Sequence, residues 1–167
     1  MTFEELKRRV PDATVDTWHQ HANGGGWVEN SARVADSAVV IGSATVRDYA
    51  VVRDYATVDN RAIVRDCATV RDYAVVCGYA TVIGSAVVTA GTWNVPPVQI
   101  QGSQWFVGQS APGTIRAGCE EHTFDKWQRN WDALADKHKL TPELRREYKA
   151  YIDIICAIGV PGPGGDE

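Results

Sequence analysis

From Gly26 to Gly91 the chain sets small and β-branched apolar residues against polar ones on a strict six-residue period. In register the segments read GWVENS, ARVADS, AVVIGS, ATVRDY, AVVRDY, ATVDNR, AIVRDC, ATVRDY, AVVCGY, ATVIGS and AVVTAG, eleven hexads without an insertion. The third position is Val in all eleven, from Val28 to Val88, and the first is Ala in ten, from Ala32 to Ala86. A helix is excluded, because β-branched residues dominate and Gly, Asp or Asn recurs at the fifth place. A hairpin sheet is excluded by length, since a hexad has little room for both a strand and a reversing turn. The pattern predicts a β-solenoid in which each hexad is one short strand and one corner, with Val stacked inward and Ala at the crowded bend. Gly42, Asp48, Asp54, Asn60, Asp66, Asp72, Gly78 and Gly84 fill the fifth place, and all tolerate the left-handed backbone angles that a bend requires.

The flanks follow other periods. Thr2 to Glu5 spell a capping box, which predicts a short helix to about Arg9, before Pro11. A loop with Trp18, His19 and His21 leads to Gly24–Gly26, and residues 1–25 are expected to cap the open end of the solenoid at 26–91. Residues 92–118 alternate as a β meander, with a two-residue turn at Gly102-Ser103 and another turn at Pro112-Gly113. Residues 119–158 read as a helical hairpin. One helix is capped by Thr123 and carries Phe124, Trp127, Trp131 and Leu134 on one face. The other opens at Thr141-Pro142 and carries Leu144, Tyr148, Tyr151 and Ile155. This hairpin is expected to pack on the solenoid or on a neighbouring subunit, and residues 159–167 are expected to be a disordered tail.

The in-phase hexads of residues 26–91 resemble the hexapeptide-repeat, or isoleucine-patch, family. The resemblance implies a mainly β fold, a left-handed parallel β-helix of triangular section with three hexads per coil, assembled as a homotrimer with parallel axes. The entry NGGGWVENSARV is also similar to the start of certain bacterial and phage hexapeptide-repeat proteins. Enzymes of the family are mostly acyltransferases that use a His base near an intersubunit cleft, with acyl-CoA lying along the coils. A second branch, the γ-class carbonic anhydrases, binds zinc with three His. This chain departs from both patterns, because no His lies between Val28 and Ile115. Four remain, His19, His21, His122 and His138, and the first three are the candidates if the chain is an acyltransferase using acetyl-CoA or another acyl-CoA. The HxH spacing of His19 and His21 would place both imidazoles on one side of an extended segment. Cys119 lies three residues from His122, a spacing that by itself does not establish a nucleophile–base pair.

Three hexads per coil stack residues eighteen apart into columns spaced about 4.8 Å. One face then carries Glu29, Arg47, Arg65 and Ile83, a second Ala35, Arg53, Arg71 and Thr89, and a third Ile41, Asp59 and Cys77. The third is the least charged and is the expected subunit contact. Arg53, Tyr55, Arg71 and Tyr73 form the densest polar cluster, followed by Arg47, Tyr49 and Arg65; Arg61 and Tyr79 share the remaining corner. These residues have two readings. In one, Arg and the following Asp neutralise one another in a structural ladder. In the other, Arg clamps phosphate or carboxylate and Tyr stacks on a planar ring.

Composition narrows the choice. A net charge of −4 and a pI near 5.6 argue against a general nucleic-acid binder. No run of eighteen apolar residues occurs and MTFEELKRRV lacks a signal-peptide core, so a cytoplasmic protein with no membrane partner is expected. Cys67, Cys77, Cys119 and Cys156 form no CxxC pair, and no metal site is expected from their spacing. Set on the homotrimer that the resemblance implies, the residues favour a non-catalytic protein that holds an anionic, nucleotide-like small molecule in intersubunit clefts, and the phage likeness suggests one sequestering a host signalling nucleotide. The alternatives are an acyl-CoA-dependent acyltransferase and a purely structural or protein-interaction trimer.

Overall fold

A computed structural model describes residues 1–163, which divide into two units, Met1–Pro96 and a second beginning at Pro97. The first opens with helix α1 (Phe3–Arg9), whose Thr2 cap and Glu5 complete the capping box, followed by strand β1 (Trp18–Gln20). Twelve short strands then wind into three stacked parallel sheets. The first holds β2 (Trp27–Glu29), β5 (Thr45–Val46), β8 (Ile63–Val64) and β11 (Thr81–Val82). The second holds β3 (Arg33–Val34), β6 (Val51–Val52), β9 (Thr69–Val70) and β12 (Val87–Val88). The third holds β4 (Val39–Val40), β7 (Thr57–Val58), β10 (Val75–Val76) and β13 (Thr92–Trp93). Each strand pairs with the one eighteen residues on, Val46 opposite Val64 and Val58 opposite Val76, so the predicted β-solenoid and its period are present. β13 extends it one strand past the last hexad, with Trp93 buried at the inward place.

The core is a stack of repeated residues. Every third-position Val from Val40 to Val88 and every first-position Ala from Ala38 to Ala80 is fully buried. Each corner from Gly42 to Gly84 turns on a fifth-position residue in the left-handed region, with φ of 58° at Asp48, 59° at Asp54, 60° at Asn60, 63° at Asp66 and 61° at Asp72. The Asp side chains add a second ladder. The N–H of Asp66 donates to Asp48 Oδ2 at 3.2 Å, that of Gly84 to Asp66 Oδ2 at 3.0 Å and that of Asp72 to Asp54 Oδ2 at 3.4 Å. A corner N–H with no strand partner is thereby satisfied by the carboxylate one coil earlier.

Capping at the N-terminal end is uneven. β1, which was expected to be loop, pairs antiparallel with β2 and covers the edge of the first sheet. Gly26 N–H donates to the Val40 carbonyl at 2.7 Å, so the Gly24–Gly26 segment covers the edge of the third. A Cβ on Gly24 would lie 2.5 Å from the Val40 oxygen, and one on Gly26 2.6 Å from Val40 Cγ1; close approach explains these glycines. β3, at the same end of the second sheet, has β6 as its one neighbour among the described residues.

The second unit is a four-stranded antiparallel sheet, β14 (Gln99–Gln101), β15 (Phe106–Ala111), β16 (Thr114–Ala117) and β17 (Glu120–Thr123), with helices α2 (Phe124–Lys137) and α3 (Pro142–Ile158). Two corrections arise here. Gln101 pairs with Phe106, so the first hairpin loop has four residues rather than two. Tyr148 pins that loop: its hydroxyl accepts from Gln104 N at 2.9 Å and Trp105 N at 2.6 Å. The helical hairpin packs on this unit's own sheet, where Trp127, Trp131, Tyr148, Ile152 and Ile155 close on Val107 and Ile115. The backbone of Val160 is bonded both ways to the buried Gln109 side chain, at 2.8 and 3.0 Å, which anchors the chain past α3. The rest of the expected tail, 164–167, lies outside the described residues.

Corner geometry gives a graded stability prediction. Asp66→Ala removes both the tolerance of positive φ and the acceptor, and should lower the unfolding free energy by about 2 to 3 kcal/mol. Asp66→Gly keeps the backbone freedom and loses the acceptor, so it should cost roughly 1 kcal/mol. Urea unfolding in which Ala proves no worse than Gly would show that the corner is not held by its backbone angle.

Candidate functional site

Four of the predicted arginines are already partnered by the aspartate that follows each of them. Arg47 reaches Asp48 at 3.4 Å, Arg53 Asp54 at 2.8 Å, Arg65 Asp66 at 3.0 Å and Arg71 Asp72 at 2.5 Å. All four pairs are half-exposed, so their strength is modest, yet each arginine approaches a ligand with its charge partly offset. The tyrosines are freer. Tyr49, Tyr55, Tyr73 and Tyr79 are 62–74% exposed, unusual for rings of that size. Tyr55 and Tyr73 stack with centroids 5.5 Å apart and planes within 8°. That gap admits no third ring, since two stacking steps need roughly 7 Å. A planar ligand would lie on an outer face of the pair, where the column continues as Ser37 on one side and Gly91 on the other.

The third corner differs. Its hexad, ATVDNR, has Asn at the left-handed place and Arg at the sixth, so Arg61 has no following aspartate. Instead its guanidinium sits 5.6 Å from the Tyr79 ring centroid and 3.4 Å from the Tyr79 hydroxyl. Arg9, at the end of α1, bonds the Ser43 carbonyl at 2.7 Å beside this corner. Desolvation, and then the charge of Arg61, push the Arg9 guanidinium below its usual range. Among the described residues neither Arg9 nor Arg61 forms an ion pair. A hollow of about 420 Å³ opens here between Gly42, Ser43, Asn60, Arg61, Gly78 and Tyr79.

The histidines separate. His19 is exposed on β1, whereas His21 is buried and its Nδ1 contacts the Asn23 backbone. The Asn30 amide donates to the Asp16 carbonyl at 2.8 Å, which turns its oxygen to His19 Nδ1, 2.8 Å away. In the neutral ring Nδ1 then carries the hydrogen and Nε2 the lone pair. His19 borders a hollow of about 420 Å³ with Arg33 and Arg53, at the uncovered end of the second sheet.

A further cluster forms in the second unit around Glu120; the sequence names its Cys119, His122 and His138 singly but does not bring them together with Glu120 and Lys137. Its Oε1 accepts from Lys137 at 2.5 Å and His138 at 2.7 Å, and its Oε2 contacts His122 Nε2 at 2.9 Å. These contacts, Lys137 first and then His138, hold the Glu120 carboxyl at about 2 against partial burial, which acts the other way. Cys119 and His138 lie beside it, on the rim of an apolar cavity of about 120 Å³ bounded by Trp105, Trp131, Leu134 and Tyr148. His122 therefore faces Glu120, not a Cys119 nucleophile. Residues 120 and 138 are eighteen apart and meet only because α2 ends where β17 begins, which no local spacing announces. The signal for Arg61 was present, as the one hexad with Arg in its sixth place.

No family model, curated protein or solved structure matches the chain. Among the described residues, no helix is long and apolar enough to cross a membrane.

Glu120 sets a pH dependence. Its folded value of about 2 lies below the ordinary 4.5, so the unfolded chain binds more protons between those limits. The associated stability is complete above pH 4.5 and is lost as pH falls toward 2. Urea midpoints measured across this window in EDTA should slope less for Glu120→Gln than for the parent; equal slopes would show that the carboxylate is not held by its partners.

Proposed function

We propose that the solenoid unit is a non-catalytic binding module, coiled left-handed with a triangular section, assembled as a homotrimer, and that it captures a small planar anion of the nucleotide class. The observation that carries this reading is the third corner. Arg61 has no carboxylate partner among the described residues, its guanidinium lies against the exposed Tyr79 ring, and Arg9 brings a second unpaired cation to Ser43 on the same corner. A phosphate bound at Arg61 would offset this unpaired charge together with that of Arg9, which bonds the Ser43 carbonyl at the same corner. The hollow of about 420 Å³ lies within the size range of small-molecule sites. The Arg53, Tyr55, Arg71 and Tyr73 cluster is the second place on the same solenoid, suited to stacking more than to charge, since Asp54 and Asp72 already engage its arginines. Arg47, Tyr49 and Arg65 are ranked below it for the same reason.

One observation favours a second reading, an acyl-CoA-dependent acyltransferase. The Asn30 contact leaves His19 Nε2 as an available base beside Arg33 and Arg53, which could meet the phosphates of acetyl-CoA.

Thermal shift of the tag-free chain against mononucleotides, cyclic dinucleotides and acetyl-CoA separates these readings. At about 100 times Kd a nucleotide should stabilise the fold by ~2.7 kcal/mol, or roughly 5–10 °C in Tm. Arg61→Ala should abolish that shift and Arg9→Ala should weaken it. A shift that survives Arg61→Ala but vanishes in Arg53→Ala/Arg71→Ala moves the site to the second sheet. An acetyl-CoA shift that alone depends on His19 replaces the binding reading with the acyltransferase. Silence from every ligand leaves a structural trimer, and a monomer by light scattering removes the trimer.

A further inference from the structure

The second unit gathers three different metal-ligand side chains at one point. Glu120 opens β17, Cys119 immediately precedes it, and His138 caps the C-terminus of α2. Cys119 Sγ, a Glu120 carboxylate oxygen and a His138 ring nitrogen all lie within 4.8 Å of one another. We propose that Cys119, Glu120 and His138 bind one divalent transition-metal ion of the zinc class, with a fourth position open to the adjoining cavity.

The donor set selects the ion. A thiolate, an imidazole and a carboxylate suit zinc and its neighbours, whereas magnesium and calcium prefer oxygen alone. The spacing is close to what coordination needs. With bonds of about 2.0–2.3 Å, tetrahedral ligand atoms sit roughly 3.3–3.7 Å apart. The His138 Nε2 to Glu120 Oε1 contact, at 2.7 Å, would open slightly, and Cys119 would move inward. In this arrangement the proton that now joins His138 Nε2 to Glu120 leaves for solvent and Nδ1 carries the ring proton, so the Nε2 lone pair is free for the metal. The Cys119 thiol gives up its proton to solvent, and the sulfur, nitrogen and oxygen lone pairs form the three bonds.

The surrounding groups are consistent with such a centre. His122 Nε2 holds Glu120 Oε2 at 2.9 Å, fixing the carboxylate while leaving Oε1 toward His138. Lys137 carries a charge that opposes a cation here. Its ammonium contacts Oε1 at 2.5 Å, but its side chain is 63% exposed and can turn outward when a metal takes that oxygen. All three donor residues line the apolar cavity of about 120 Å³, so the open position faces Trp105, Trp131 and Tyr148 and has room for water or a ligand of a few atoms. A site of this kind has three protein ligands and one exchangeable place, the arrangement of reactive rather than purely structural zinc.

Cobalt(II) provides a direct test, because thiolate coordination gives a charge-transfer band in the near ultraviolet and tetrahedral geometry gives intense visible bands. EDTA-stripped, tag-free protein should bind one equivalent of Co²⁺ with both signatures, and Zn²⁺ should displace it. Cys119→Ser should abolish the near-ultraviolet band, and His138→Ala should weaken binding at least 100-fold. His122→Ala should weaken it roughly 10- to 100-fold, as expected for a residue that orients a ligand. Cys67→Ser, a change in the other unit, should leave binding intact. Cys119 and His138 are exposed, and far-ultraviolet circular dichroism checks that their variants fold. The proposal is overturned if the parent protein takes up no stoichiometric Co²⁺, if it binds without a thiolate band, or if binding persists unchanged in Cys119→Ser and His138→Ala.

Discussion

The first unit depends on one backbone constraint, a residue in the left-handed region at every sixth position. From Gly42 to Gly84 eight successive corners meet it, five with Asp or Asn and three with Gly. An ordinary side chain there costs about 1–2 kcal/mol, so several wrong residues would exceed the margin by which a domain of this size is stable. Gly would satisfy the angle equally well. Asp does more, because its carboxylate also accepts the corner N–H of the following coil, from Asp48 to Asp66 and from Asp66 to Gly84. The corner chemistry therefore ties successive coils together at their edges, while the Val stack ties them at the centre.

That solution has a consequence for surface chemistry. Each corner aspartate also engages the arginine before it, so the motif that looks most like an anion clamp in the sequence is partly neutralised by its own architecture. Where the hexad departs from the rule, the consequence lapses. Asn60 satisfies the left-handed angle at 60° without a charge, and the arginine displaced to position 61 turns to Tyr79 instead, with no carboxylate partner among the described residues. The irregular hexad, not the regular ones, carries the stronger electrostatic signal.

Legibility followed the range of the interactions involved. The solenoid, its register and its inward residues could be read from the sequence because each strand repeats the same local instruction, and Val46 opposite Val64 follows from counting. The capping box at Thr2 and the Thr123 and Thr141 helix starts were legible for the same reason, since caps are written within four residues. The four-residue loop after Gln101 was not, because its length is set by Tyr148, more than forty residues away. Nor was β1, whose strand character comes from pairing with β2 rather than from its own sequence. Likewise the apolar faces of α2 and α3 were visible as stripes, but nothing local said that Val107 and Ile115 would receive them.

The same distinction governs where chemistry can arise. A repeat places one residue type in each column, so it can build a ladder of arginines or a stack of tyrosines but not a mixed constellation. Mixed sites need chain that does not repeat. The Arg9 contribution to the third corner comes from α1, the Asn30–His19 contact comes from the first hexad and β1, and the Glu120 cluster lies wholly in the second unit. Around Glu120 a carboxylate, two imidazoles, an ammonium and a thiol converge within one side chain's reach, a diversity that no column of the solenoid offers. The repeat supplies rigidity and an extended surface, and the departures from it supply the residues able to discriminate a ligand.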